Sequence, residues 1–228
     1  MRTMEGEFNA ESLVTGWRAM HMTASLLWRR NPDIMEYAFS SMRIGPGSRV
    51  LLMGEDNAGC GFSEKLTAAV CPVGELVDVD FRPEVLPRKF AWPLCTEHCA
   101  AHKPGSFDAA LFVSWHHMDD MDAEVKALAR VVRPSGRVVL LDHGPGYRFF
   151  RMAEEEVHVG MLAWLFVSKM GVLHRGVRDL DEAYEVGKAL NTRWSAVDAQ
   201  KAMRAAGLRD VRHSLVRGVD IVRGEKAK

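Results

Sequence analysis

Neither sign of charge is in excess in this chain: 30 Lys+Arg stand against 30 Asp+Glu. Without a basic surplus there is no long-range field to gather a phosphate backbone, so nucleic acid is not an expected partner. Cysteine is scarce at 4 of 228 residues, one of them inside a glycine loop, which does not read as a disulfide-stapled secreted framework. No apolar run reaches the length of a membrane span, and the opening MRTMEGEFNAES lacks the apolar centre of a signal peptide. Internal repeats and low-complexity segments are missing as well. What these absences leave is a soluble, cytoplasmic protein of one ample domain with room for a large core.

The informative stretch is Arg49 to Leu86. Arg49–Met53 is apolar, too short for a helix and rich in Val and Leu, so it predicts a buried strand. Gly54, Gly59 and Gly61 punctuate a loop, after which Phe62, Leu66, Ala69 and Val70 fall on one helical face. Pro72 and Gly74 stop that helix, and Leu76–Phe81 predicts a second strand carrying Asp80 at its end. Strand, glycine loop, helix and strand with a terminal acid make a mononucleotide-binding plan. Its glycines let backbone approach a ligand, and its acid accepts from ribose hydroxyls.

Two nucleotide signatures are missing from this loop. There is no G-x-G-x-x-G directly after the strand, and Cys60 stands where a phosphate loop would place lysine. Glu55 and Asp56 follow Gly54, and two carboxylates would repel a pyrophosphate. The loop better suits a ligand with an ammonium or sulfonium group, which favours S-adenosylmethionine over NAD or ATP.

The chain resembles the class I S-adenosylmethionine-dependent methyltransferases of the small-molecule type, including the quinone-biosynthesis enzymes. RVLLMG is similar to that family's first motif, VDVDFRPEVL to its second, and FDAALFVSWHHMDD to the motif after its fourth strand. ARVVRPSGRVVLLDH resembles the segment entering the fifth strand, and AMRAAGLRDVRHSLVRGVDIVRG the closing helix and hairpin. Leu52 stands where the family usually has an acid, and the glycine loop is longer than usual. The resemblance implies an α/β fold: a Rossmann-like, doubly wound, seven-stranded, mostly parallel sheet with an antiparallel last strand and a helical cap. It implies S-adenosylmethionine as cofactor, contacted by Gly54, Glu55, Gly59, Gly61, Asp80, Phe81 and Ser114, and methyl transfer to a small, apolar or aromatic acceptor. A relative that binds S-adenosylmethionine or S-adenosylhomocysteine only as sensor or scaffold stays open, favoured by Leu52 and the long loop.

Ligands in an open parallel sheet sit beyond the carboxyl ends of the strands. The strand Asp108–Val113 therefore delivers Ser114, Trp115, His116 and His117 to a pocket mouth, and Arg137–Leu141 delivers Asp142 and His143. A neutral imidazole there suits a base, so His117 and His143 are the candidate catalytic residues. In CTEHCAAH, Cys95, His98, Cys99 and His102 share a helical face, a donor set for zinc or another soft metal. One helical turn does not readily wrap four ligands around an ion, so no metal is assigned, although a metal-binding protein built on this segment remains an alternative. The resemblance instead puts Thr96 or Glu97 beside the adenine ring.

The chain divides on this reading into 1–44, N-terminal helices contributing to a cap; 45–144, the cofactor-binding core; 145–194, a helical cap insertion; and 195–228, a closing helix and hairpin. Asn31-Pro32 starts the second N-terminal helix, whose buried stripe is Ile34, Ala38, Phe39 and Met42. Met161–Val167 is apolar on every side, which suits a lid over a lipophilic substrate, then a homodimer contact, then a membrane-surface foot. Ser195 and Asp198 predict a capping box, and the strands around Arg217-Gly218 a β-hairpin.

Overall fold

A computed structural model describes residues 32–54, 61–80, 95–115, 118, 120–142 and 194–228. Among them run α1 (Pro32–Met42), β1 (Arg49–Gly54), α2 (Phe62–Val70), β2 (Glu75–Asp80), α3 (Cys95–Ala100) and β3 (Phe107–Val113). Then come α4 (Met121–Val131), β4 (Val132–Asp142), α5 (Ala196–Ala205), β5 (Leu208–Val216) and β6 (Val219–Lys226). The strands form one sheet of order β2-β1-β3-β4-β6-β5. β1 through β4 are parallel, and β6 runs antiparallel to both β4 and β5.

This is the expected mostly parallel α/β sheet with an antiparallel last strand. Six strands lie among the described residues. The further strand expected near Phe90–Leu94 lies outside them, as do the first N-terminal helix and the proposed cap insertion.

Strands buried on both faces read as continuous apolar runs, and β1 and β3 do so because a helical layer covers each side. On one face Ile34, Ala38 and Met42 of α1 and Phe62, Leu66 and Val70 of α2 pack on Val50, Leu52, Leu111 and Leu141. Phe39 meets the Phe62 ring edge to face, with centroids 6.0 Å apart. On the other face, Val125 and Leu128 of α4 and Ala199, Ala202 and Met203 of α5 cover Leu51, Ala110, Leu140 and Val222.

Strand β4 begins earlier than the expected Arg137. It pairs Val132 with Phe107, then shifts register before pairing Arg137 with Ala109. Pro134-Ser135-Gly136 makes the excursion, with Ser135 at φ 61°, and a Cβ on Gly136 would lie 2.6 Å from Asp108 O. The Asp108 carboxylate fastens this edge, accepting from Arg49 N at 2.6 Å and pairing with Arg133 at 2.5 Å.

Local signals held at the C-terminal end. Ser195 and Asp198 make both arms of the capping box on α5. The hairpin turns at Arg217 and Gly218, both with positive φ, 49° and 76°.

Candidate active site

The chain goes from β1 out to β2, then returns to place β3 on β1's other side. That reversal opens a crevice beyond the carboxyl ends of β1 and β3, where open α/β sheets bind their ligands.

Gly54 sits at this point with φ 106°, a backbone region that side chains avoid, and a Cβ there would stand 2.1 Å from Val113 O. Glycine is therefore required by both the dihedral and the approach of β3. Across the ladder, Gly54 is in direct register with Asp80 at the end of β2. The first glycine and the strand-terminal acid are thus neighbours across the ladder. Gly61 precedes α2 with φ 79°, and nothing lies within 4 Å of where its Cβ would be, so open space faces the start of the helix.

Ser114 closes β3 with φ 68°, uncommon for a residue with a side chain, and its N–H donates to Leu141 O at 2.7 Å. Strained backbone of this kind at a strand end is frequent where a site needs a fixed direction. Ser114 and the adjoining Trp115 are both buried. Trp115 belongs to the core under α4 and α5 rather than to an open pocket mouth. Trp194 donates its indole N–H to Met118 O at 2.6 Å, tying the entry to α5 to the segment after β3.

Leu52, at the position where an acid was expected, is core. Its register partner on β2 is Asp78, whose carboxylate accepts from the Ser63 hydroxyl in the first turn of α2. An acid therefore stands one strand over from Leu52 and fastens the helix after the glycine loop.

Of the other expected site residues, Glu55, Gly59, Phe81, His117 and His143 lie outside the described residues. The CTEHCAAH segment is helical over Cys95–Ala100 but serves packing where it is described. Cys99 is buried in the core, and His102 meets the Phe107 ring edge to face at 5.0 Å. Arg130 donates to the carbonyls of Cys99 and His102. Among the described residues no cluster of His, Cys, Asp and Glu side chains is arranged to hold a metal ion.

Sequence reasoning missed one polar cluster. Asp142 ends β4 directly opposite Asp220 at the start of β6, and both carboxylates are buried. His213 Nε2 stands 2.6 Å from Asp220 Oδ1 across the hairpin. The available signal was Asp220 itself, an acid inside the apolar run Val219–Val222.

The described part of this switch point is a strand-terminal glycine, Gly54, in register with a strand-terminal acid, Asp80. Residues 57–140 match the family described as the methyltransferase domain. That stretch of the chain is similar to a methyltransferase domain. The structural likenesses agree in fold. A chain of the complex between the Haloferax volcanii Trm112 methyltransferase activator and its candidate methyltransferase superposes with a TM-score of 0.50 at 13% identity, over 85% of this chain and 88% of that one. Haemonchus contortus phosphoethanolamine N-methyltransferase 2, in complex with phosphomonomethylethanolamine and S-adenosylhomocysteine, gives 0.53 at 10% identity, over 86% of this chain and 53% of that one. The same enzyme in complex with S-adenosyl-L-methionine gives 0.52 at 10% identity, with the same shares covered. At these identities the likeness is one of fold alone. No curated protein sequence matches the chain. Among the described residues no helix is long and apolar enough to cross a membrane.

Proposed function

We propose that this chain transfers a methyl group from S-adenosylmethionine to a small, apolar or aromatic acceptor by direct displacement. The observation that carries the reading is the register of Gly54 with Asp80 at the switch point between β1 and β3. The residues present fit the cofactor: the positive-φ glycines supply close backbone approach, and a strand-terminal acid suits a ribose diol. The excess of acids at this edge suits a sulfonium cation, whereas it would repel a pyrophosphate.

The cofactor supplies a methyl carbon already activated by positive sulfur. The acceptor's lone pair forms the new bond as the carbon–sulfur bond breaks, and that electron pair returns to sulfur. The protein's contribution is then alignment and exclusion of water. Asp80 holds the ribose, and the Gly54–Gly61 loop, with Glu55 and Gly59, frames the methionine tail. Phe81 and Ser114 complete the cofactor's surroundings. His117 and His143 follow the carboxyl ends of β3 and β4 in sequence and take the acceptor's proton as it becomes the methylated product. We read the segment 145–194 as a lid over the acceptor, with a contact between two copies of the chain as the alternative.

The test is incubation with methyl-labelled S-adenosylmethionine and a panel of quinols, phenols and thiols. Label appearing in one acceptor class, and slowed in His117→Ala with cofactor affinity unchanged, supports the reading. Saturable cofactor binding with no label transferred across the panel would instead mark the chain as a sensor or scaffold.

A further inference from the structure

At the opposite, amino edge of the sheet, the start of β4, the hairpin and the end of α1 enclose a cavity of about 110 Å³. Arg43, Arg137, Arg212 and Arg223 line it together with Asp210 and Glu225, so its lining carries four arginines and two acids. Glu225 is shared between two of the arginines, at 3.1 Å from Arg137 and 3.5 Å from Arg43. Arg212 and Arg223 are direct register partners across β5 and β6, an arrangement in which like charges repel. Neither has an ion-pair partner among the described residues. Asp210 takes φ 48° where the hairpin register shifts between Arg209 and Arg212, which sets it at the rim.

Arg137 is 6% exposed. It donates through Nη1 to Ser41 O and through Nη2 to Glu225, both at 3.1 Å, but its buried Nε has no acceptor. Buried donors on charged groups are rarely left unmet, and the residue that carries this one lines the cavity. Two uncompensated positive charges, forked donors and a volume suited to a small ion describe a tetrahedral dianion as the missing partner.

We infer that this cavity binds a phosphate group, either as free inorganic phosphate or as the headgroup of a small phosphomonoester. The site is separate from the carboxyl-edge crevice and does not depend on methyl transfer.

Calorimetric titration of the full chain in a low-salt chloride buffer, with inorganic phosphate and with glycerol phosphate, tests the assignment. One saturable event per chain is expected for phosphate. Equal or tighter binding of glycerol phosphate marks the phosphoryl group of an ester as the ligand, and binding of phosphate alone marks the free ion; either outcome supports the site. R212S/R223S, at one exposed and one half-buried position, should keep the thermal transition and the S-adenosylmethionine affinity of the parent while weakening phosphate at least tenfold. R137Q should weaken it likewise, but its buried position makes the surface pair the deciding variant. Phosphate bound at full strength by folded R212S/R223S, or no saturable event with the folded parent, overturns the inference.

Discussion

The two edges of the sheet carry opposite chemistry. At the carboxyl edge the strands end or begin in Gly54, Asp80, Ser114, Asp142 and Asp220. At the amino edge they begin or end among Arg49, Arg133, Arg137 and Arg223, with Asp108, Glu75 and Glu225 as counter-ions. Among the described residues, a chain with no net charge thus places acids at one edge of its sheet and more arginines than acids at the other. The acid-rich edge favours a sulfonium cation, and the arginine-rich edge favours an oxyanion. Balanced composition had pointed away from a nucleic-acid partner, and a global sum of this kind says little about local fields.

The largest effect should come from Gly54→Ala. A Cβ 2.1 Å from Val113 O, at φ 106°, forces β1 and β3 apart, and about 4 kcal/mol of stability should be lost in chemical denaturation. Gly61→Ala meets open space and bears only its positive φ, so about 1 to 2 kcal/mol is expected there. Equal losses at the two glycines would break the claim that the switch point is the tight one.

Next comes Asp80→Ala. Loss of charge-assisted hydrogen bonds to ribose should weaken S-adenosylmethionine by about 2 kcal/mol, or more than tenfold, in calorimetry. Phosphate affinity at the other edge should not move. Unchanged cofactor affinity would remove Asp80 from the site.

Glu225→Gln probes the amino edge. It strips the carboxylate shared by Arg43 and the buried Arg137, costing about 2 kcal/mol in thermal or chemical unfolding. The same change should tighten phosphate several-fold, because it raises the local positive charge. Weaker phosphate binding in this variant would contradict the charge argument.

The smallest effect concerns pH. The hydroxyl and then the backbone N–H of Ser195 donate to the Asp198 carboxylate and hold its pKa below the usual range. Because the folded value is depressed, the stabilisation is complete above the unfolded pKa and is lost as pH falls through the folded one. Asp198 is largely solvated, so screening limits the contribution to under about 1 kcal/mol. Asp198→Asn should flatten this part of the acid-unfolding curve, and an unaltered curve would show that the cap contributes nothing there.

What the sequence revealed depended on how local each interaction is. The Ser195–Asp198 box, the turn at Arg217-Gly218 and the helix from Phe62 are set by residues within a few positions of one another, and all are found as expected. The Gly54–Asp80 pairing was also legible, since a strand–loop–helix–strand unit fixes its own register. By contrast, Val132 joining β4 depends on Phe107 and Asp108 across the sheet, and nothing in the local pattern reports it. Cys99 and His102 looked like ligands because helical spacing alone aligned them, whereas Phe107 and Arg130 decide their role from a distance. The Asp142–Asp220–His213 cluster and the arginine cavity escape notice for the same reason, because each is assembled by the antiparallel insertion of β6.

That insertion also bears on how the chain is made. β6 lies between β4 and β5 yet follows every other described element in synthesis order. While the chain is still emerging from the ribosome, β5 has no neighbour to join, and the exposed side of β4 offers an unpaired edge to any passing strand. The nascent protein is therefore most vulnerable to aggregation just before its final strand slots home, and a chaperone holding that one edge would protect the whole assembly.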